Sequence, residues 1–396
     1  MGVQKKHVII EFFDVTSIEN LITCLHYKMD KVIFFGYKKS MTEERKHTTE
    51  NFLKKRCNVE VVEFETVNEY NPKEMLEKFE KVLKQEQDNF CYFDMTGGED
   101  LMLVAMGMLA ERHQIPVHKY DIERDKVIVF KRENQPDITD TASKQKIVLN
   151  LDDIIGMQGG CINYKKQKNY KDNLEKEEFK SDILAMWEIA RIDAVKWNAL
   201  STILKEGNKY KTSTGEVCVS QVEWKKLINL KKDLLSETQI KNYLNALQKA
   251  KVMNWQDEGP RGVQYSYKSS LIKDCILDAG SLLELATYYQ RKNSGKYSDV
   301  RVGVHLDWDG KITCWGKDVE NEIDVMTLEG NIPTFISCKN GEVSPTALYE
   351  IDAIAEEMGG KYAKKELVVG AAIANVQKER AKRMNITISS GSDSNL

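Results

Sequence analysis

The sequence predicts an α/β protein in three consecutive parts, and three observations predict it. Between residues 7 and 130, apolar runs alternate regularly with segments of helical spacing, the pattern of a mainly parallel, doubly wound sheet. Residues 217–268 have the order short helix, capped helix and β wing. From Ser270 the order is helix, three strands, helix, strand, which describes a second α/β core. At 396 residues the chain is long enough for two or three cores of its own. The expected division is 1–145, 146–269 and 270–396.

In the first part the strands are His7–Phe13, Lys31–Tyr37, Val59–Phe64, Asn89–Met95, Pro116–Ile122 and Lys126–Phe130, the last forming a hairpin with its predecessor. Helical spacing falls at Ser17–Tyr27, Thr42–Arg56, Pro72–Gln85 and Glu99–His113. Ligands of such sheets sit beyond the carboxyl ends of the strands. Those ends are Phe13-Asp14-Val15, Gly36-Tyr37-Lys38 and Asp94-Met95-Thr96-Gly97-Gly98-Glu99. Two consecutive glycines let a ligand approach the backbone, and the helix that follows offers free N–H groups to an anion. Alone, the segment is also compatible with a structural turn. It is neither a Walker A loop nor GxGxxG, which argues against an ATP-hydrolysing or dinucleotide-dependent enzyme.

The middle part is looser. Residues 134–143 are polar, contain Pro136 and read as a linker; Ile147–Met157 is more apolar. Asn163–Lys180 is rich in lysine and reads as a solvated connector rather than a phosphate site. Ser181–Lys205 has helical spacing, with Ile183, Met186, Trp187, Ala190, Ala194 and Trp197 on one side for packing. Val217–Ile228 reads as a short helix, Ser236–Lys249 as a capped helix, and Val252–Tyr267 as a wing around Gly259-Pro260-Arg261-Gly262. Lys241, Lys249 and Arg261 form only a modest basic set for a reader of DNA sequence.

The last part opens on Asp278–Gln290, a helix behind a Gly-Ser cap that places Glu284 among apolar residues. Strands follow at Val300–Trp308 and Ile312–Trp315, around Asp309-Gly310. Then comes a hairpin, Glu320 to Gly341, turning at Glu329-Gly330-Asn331. Strand alternation puts Glu322 and Asp324 on one face, with Ile323 and Val325 opposite; on the return strand Ser337 and Lys339 share a face. A solvated hairpin would also carry such charges. Asp324, however, lies in a strand that reads as buried, where acids seldom sit without partners, and Lys339 ends an otherwise uncharged run. Carboxylates that hold Mg²⁺ or Mn²⁺ beside a lysine are the equipment for hydrolysing a phosphodiester. A helix, Thr346–Met358, starts near Ser344-Pro345, carries Glu350 early and ends at Gly359-Gly360. Leu367–Ala372 reads as a buried strand, and the terminal SSGSDSNL as a disordered tail.

The arrangement IDV…ISCK, Ile323 to Val325 and Ile336 to Lys339, resembles the PD-(D/E)XK nuclease core, a restriction-endonuclease-like α/β fold. The acid that this pattern places before x-Lys is Ser337 here, and the resemblance offers Glu350 on the next helix as its replacement. It also implies that Glu284, Asp324 and Glu350 hold the metal, that Lys339 activates water, and that Glu322 is a supporting acid. The DMTGG segment resembles that of the CARF domain, the Rossmann-like sensor of CRISPR-associated proteins. This resemblance implies that a homodimer binds a cyclic oligoadenylate, cyclic tetra-adenylate by analogy, with Thr96, Gly97, Gly98, Glu99, Asp14, Tyr37 and Lys38 lining the site. Sensor, winged-helix-like connector and nuclease in this order are similar to the CARF-fused effectors of type III CRISPR defence.

Composition sets the outer bounds. The formal net charge of −3 gives no global basic field for coating nucleic acid. The eight cysteines occur singly, without CxxC or zinc spacing, as in a reduced intracellular protein. No signal peptide and no membrane-spanning apolar run is evident, so a cytoplasmic location is expected. Taken with these bounds, the resemblance implies a messenger-activated, metal-dependent nuclease acting on RNA and/or DNA. The alternatives are a messenger-dependent nucleic-acid-binding regulator whose nuclease has decayed, and a repair nuclease that needs no messenger.

Overall fold

The computed structural model describes residues 5–166, 168, 170–208, 219–259, 262–312 and 319–391. The first sheet contains β1 (His7–Phe12), β2 (Lys31–Tyr37), β3 (Val61–Val67), β4 (Phe90–Asp94), β5 (Val117–Asp121) and β6 (Lys126–Phe130), in the order β3-β2-β1-β4-β5-β6. All pairings are parallel except β5–β6. Its helices are α1 (Ile22–His26), α2 (Glu43–Arg56), α3 (Pro72–Gln85) and α4 (Asp100–His113). Both faces of β1 are buried, as a doubly covered parallel strand requires. Val8, Ile10 and Phe12 pack with Phe79, Met102 and Met106, while Ile9 and Phe13 pack with Leu25 and Leu53.

The expected helix Ser17–Tyr27 is broken into a 3-10 turn, Ser17–Asn20, and α1. The side chain of Asn20 bonds both the N–H and the carbonyl of Asp14, which anchors the first turn to the loop after β1. The third strand starts at Val61 and runs on to Val67, later than its apolar run indicated.

In the middle part, α5 (Ile138–Thr141) is a single turn capped by Asp137, set within the expected linker. There follow α6 (Leu151–Met157), β7 (Cys161–Ile162), α7 (Glu177–Ala190) and α8 (Ala194–Gly207). The stretch expected as one helix over 181–205 is thus two, because the Asp193 side chain accepts the Lys196 N–H and starts a new helix. Next are β8 (Val219–Val222), α9 (Trp224–Ile228), α10 (Glu237–Lys249), β9 (Met253–Asp257) and β10 (Val263–Tyr267), with sheet order β8-β10-β9. The expected helix at 217–228 therefore begins as a strand, paired to β10 through Val222 and Val263. The cap of α10 is a capping box between Ser236 and Gln239. Lys241 is held by Glu237 and Asp257, while Arg261 lies outside the described residues.

The last part contains α11 (Ser270–Leu277), α12 (Ala279–Asn293), β11 (Asp299–Asp307), β12 (Glu320–Glu329), β13 (Ile332–Lys339), α13 (Pro345–Gly359), β14 (Lys364–Val369), α14 (Asn375–Arg383) and β15 (Ile386–Ser390). Their sheet runs β15-β14-β13-β12-β11-β7, so its edge strand comes from residues 161–162. Asp278, not a Gly-Ser pair, caps α12 by accepting the Gly280 N–H. Of the strand expected at Ile312–Trp315, residues 313–315 lie outside the described residues. Ser389 and Ser390, expected in a disordered tail, end β15; residues 392–396 are outside the described set.

The two faces of this sheet belong to different cores. Leu282, Leu285 and Ala286 of α12 pack with Val325, Ile336 and Val368; Leu348, Ile351 and Ile354 of α13 pack with Met326, Phe335 and Leu367. The second of these cores also contains Ile9 and Phe13 of the first sheet, reached through Leu151, Ile154 and Ile155 of α6. No helix among the described residues is long and apolar enough to cross a membrane.

Candidate functional site

The hairpin β12–β13 is regular from its turn as far as Val325 opposite Ile336, and there the ladder stops. Strict alternation would send Ile323 and Val325 to one face, as the sequence suggests. Instead Ile323 joins the α13 core and Val325 the α12 core. The same switch occurs on β11, between Val304 and Val302, around Gly303 at φ +60°. Register places Gly303 across from Asp324. Asp324 thus sits where two strands change face together, the local break that re-aims a side chain. Its carboxylate takes over from the ladder: Cys338 N–H donates to it at 2.6 Å and Ser337 Oγ at 3.2 Å.

Three carboxylates converge at this break. Oxygen atoms of Glu284, Glu322 and Asp324 lie within 4.8 Å of one another. Glu284 comes from α12, where it is 7% exposed, and the other two come from β12. Burial pushes the Glu284 carboxyl up to about 7, with Lys168 opposing the rise and Asp324 adding to it. The donors are all hard carboxylate oxygens from two rigid elements, with one ligand deeply buried and one exposed. Such a set fits Mg²⁺ or Mn²⁺, hard cations that take oxygen ligands and keep waters on the open side.

Lys339 Nζ is 3.5 Å from Asp324 Oδ2, so the acid and the lysine that the sequence singles out stand side by side. Glu350 lies elsewhere. It is exposed on α13, its Oε1 accepts from Asn321 Nδ2 at 3.3 Å, and it is not part of the carboxylate cluster. The reason is layering: α12 and α13 cover opposite faces of the sheet, so an acid early in α13 is carried away from Glu284. The third place is taken by Glu322, expected only as a supporting acid. A further residue escaped sequence reasoning. Lys168 Nζ lies 2.7 Å from Glu284 Oε2 and 3.1 Å from Glu322 Oε1. Burial opposes its charge, but the two glutamates outweigh burial and hold the ammonium above its ordinary range. In a tract of many lysines no local signal singled it out.

At the first sheet the predicted residues gather at the carboxyl ends of β1, β2 and β4, with different duties. Asp14 Oδ2 accepts the Gly98 N–H at 3.0 Å and its Oδ1 the Thr16 N–H at 2.8 Å, so it braces the double-glycine loop. A Cβ on Gly97 would stand 2.9 Å from Asp14 Cβ and 3.1 Å from Glu19 Oε2, which is why glycine is needed there. Thr96 faces inward: its N–H and hydroxyl donate to Asp94, and its Oγ1 accepts the Tyr120 N–H. Asp94 is buried with Thr23 and His118, and these partners hold its carboxyl below the usual range against the cost of burial. Glu99 is exposed at the start of α4, 3.8 Å from Lys39, and Lys38 is exposed beside it. Tyr37 and Lys38 line an open cavity of about 650 Å³ with Lys39, Asn68 and Tyr70. Sequence reasoning missed the last three: Asn68 and Tyr70 lie in the polar loop directly after β3, and Lys39 follows Lys38 beyond β2.

The geometry agrees with the comparisons to known proteins. Residues 274–395 match the family model described as Card1-like, endonuclease domain. No curated protein matches the chain. Among solved structures, protein VC1899 from Vibrio cholerae is similar with a TM-score of 0.69 and 16% identity, over 97% of this chain and 94% of that one. Can2 from Sulfobacillus thermosulfidooxidans, solved in complex with cyclic tetra-adenylate, is similar with a TM-score of 0.65 and 15% identity, over 97% of this chain and 93% of that one. Residues 274–395 are therefore similar to a Card1-like endonuclease domain, within a fold that 97% of the chain shares with VC1899 and Can2.

Proposed function

We propose that the protein is a divalent-metal-dependent nuclease of type III CRISPR defence, switched on by a cyclic oligoadenylate and cutting RNA and/or DNA. The observation that carries this reading is the meeting of Glu284, Glu322 and Asp324 within 4.8 Å, beside Lys339, in a domain matched by an endonuclease family model. The sensor assignment rests on the double-glycine loop and on the shared fold of Can2, whose structure holds cyclic tetra-adenylate. On this reading residues 1–145 are the sensor, 146–269 the connector and 270–396 the nuclease, with α6 and β7 lent by the connector to the nuclease sheet.

Glu284, Glu322 and Asp324 would hold Mg²⁺ or Mn²⁺, which when bound supplies Lewis acidity and a water of lowered pKa. Lys339 orients the attacking water and offsets charge that develops on the phosphate. Asp324 positions Lys339 by ion pairing and keeps the end of β13 in place through the Cys338 N–H. A two-fold pocket suits a cyclic messenger of even symmetry. In support of a homodimer, Leu101, Val104 and Met108 form an exposed apolar stripe along α4, beside the double-glycine loop.

The test is incubation with labelled single-stranded RNA and DNA and Mn²⁺, with and without cyclic tetra-adenylate. Cutting that depends on the messenger and is abolished by Lys339→Ala, with messenger affinity unchanged, is expected. Equal cutting without messenger would favour the repair nuclease. No cutting, with messenger-dependent binding to duplex DNA, would favour the regulator.

A further inference from the structure

Lys168 reaches the carboxylate cluster from outside the matched endonuclease domain. Its ammonium donates to Glu284 and lies within ion-pair distance of Glu322, bridging two of the three acids that gather there. A cation in contact with both carboxylates occupies the position that a divalent ion would need. The placement is built into the fold. On β11, Gly303 has φ +60°, and a Cβ there would stand 3.2 Å from the Tyr170 hydroxyl and 3.8 Å from Lys168 Cδ. Tyr170 is 5% exposed, its hydroxyl finds no hydrogen-bond partner among the described residues, and burial, with Glu284 and Glu322 adding to it, disfavours its ionisation. Upstream, the Asn163 N–H bonds the His305 carbonyl at 2.8 Å, Asn163 Nδ2 bonds Glu320, and Lys166 also pairs with Glu320. Lys168 and Tyr170 are thus laid over the acids by contacts to β11 and β12.

We propose that Lys168 is a tethered counter-cation that fills the metal position of the resting protein, so that metal entry is an exchange of ammonium for divalent ion. The inference rests on the nuclease reading above. The charges favour the exchange. A divalent ion bound by Glu284 and Glu322 repels an ammonium at the same oxygens in a partly buried site, where screening by water is weak. The metal-loaded site therefore has Lys168 withdrawn, and Tyr170 loosened with it.

Mn²⁺ binding to the full chain, followed by the electron paramagnetic resonance of free Mn²⁺ without nucleic acid, tests this. Lys168→Met is expected to bind Mn²⁺ about tenfold more tightly than the wild type, since no ammonium has to leave. Equal or weaker binding overturns the proposal and would make Lys168 a supporting residue of the metal. Wild-type binding that Asp324→Asn does not alter would sink the metal-site reading itself, and the exchange with it. A second measurement does not depend on the variant folding. Hydrogen exchange at the amides of Lys168 and Tyr170 in the wild type should quicken when Mn²⁺ is added; unchanged or slower exchange also overturns the proposal.

Discussion

The carboxylate of Asp324 accepts the backbone N–H of Cys338 at 2.6 Å, across the point where β12 and β13 stop pairing. One side chain thus closes the hairpin and contributes to the carboxylate cluster. Asp324→Ala leaves that N–H without its acceptor and should lower stability by about 1–3 kcal/mol. Asp324→Asn keeps an acceptor but not the charge. It should retain most of the stability while losing cleavage and Mn²⁺ affinity. Urea unfolding of both variants, run beside a cleavage assay, separates the two duties; equal stability of Ala and Asn would refute the structural one.

Glu284 gives the site a pH dependence. Burial raises its carboxyl from the ordinary 4.5 to about 7 in the metal-free protein. A metal must displace that proton, so Mn²⁺ affinity should climb by up to ~10-fold per pH unit below this value and level off above it. For folding the sign is opposite. The folded state holds the proton more tightly than the unfolded one, so this group's contribution to stability is present below about 4.5 and is lost as pH rises through about 7. In Glu284→Gln both dependences should vanish from that window, which titrations at constant ionic strength would show.

Glu350 stands apart from the cluster, exposed and bonded to Asn321. Glu350→Gln should leave Mn²⁺ affinity and the cleavage rate within about twofold of wild type, as for a surface change away from special features. A loss of a hundredfold in cleavage would return it to the machinery.

Gly97 has no room for a methyl group between Asp14 and Glu19. Gly97→Ala should displace the loop that Asp14 braces, weakening cyclic tetra-adenylate binding by about tenfold or more for a shift worth ~1–3 kcal/mol. Isothermal titration would detect this, and an unchanged affinity would place the messenger elsewhere.

Much of the fold was legible because burial writes it into spacing. The first sheet, with apolar runs separated by helical segments, could be read strand by strand, and Pro72–Gln85 begins and ends as its cap and spacing indicate. The pairing of Asp324 with Lys339 was legible because a charge in an apolar run demands a partner. Three things were hidden. Local sequence does not say which face of a sheet a later helix covers, so it groups Glu350 with Glu284 and Asp324, where the structure brings Glu322. It does not say where a strand changes face, so the break at Gly303 and Asp324 went unseen. Long-range pairing also has no local trace: β7 joins β11 across more than a hundred residues, and Lys168, just beyond it, arrives at Glu284 by that route.

The first sheet and the endonuclease domain share one apolar core, joined through α6, and Glu19 binds both Lys361 and Tyr362 across the same junction. Such a chain is not a pair of interchangeable parts. Replacing residues 1–145 by a foreign domain would take Ile9 and Phe13 away from Leu151, Ile154 and Ile155, and leave Lys361 and Tyr362 without the carboxylate they share. The seam of the molecule therefore runs through α6 rather than through the polar stretch before it.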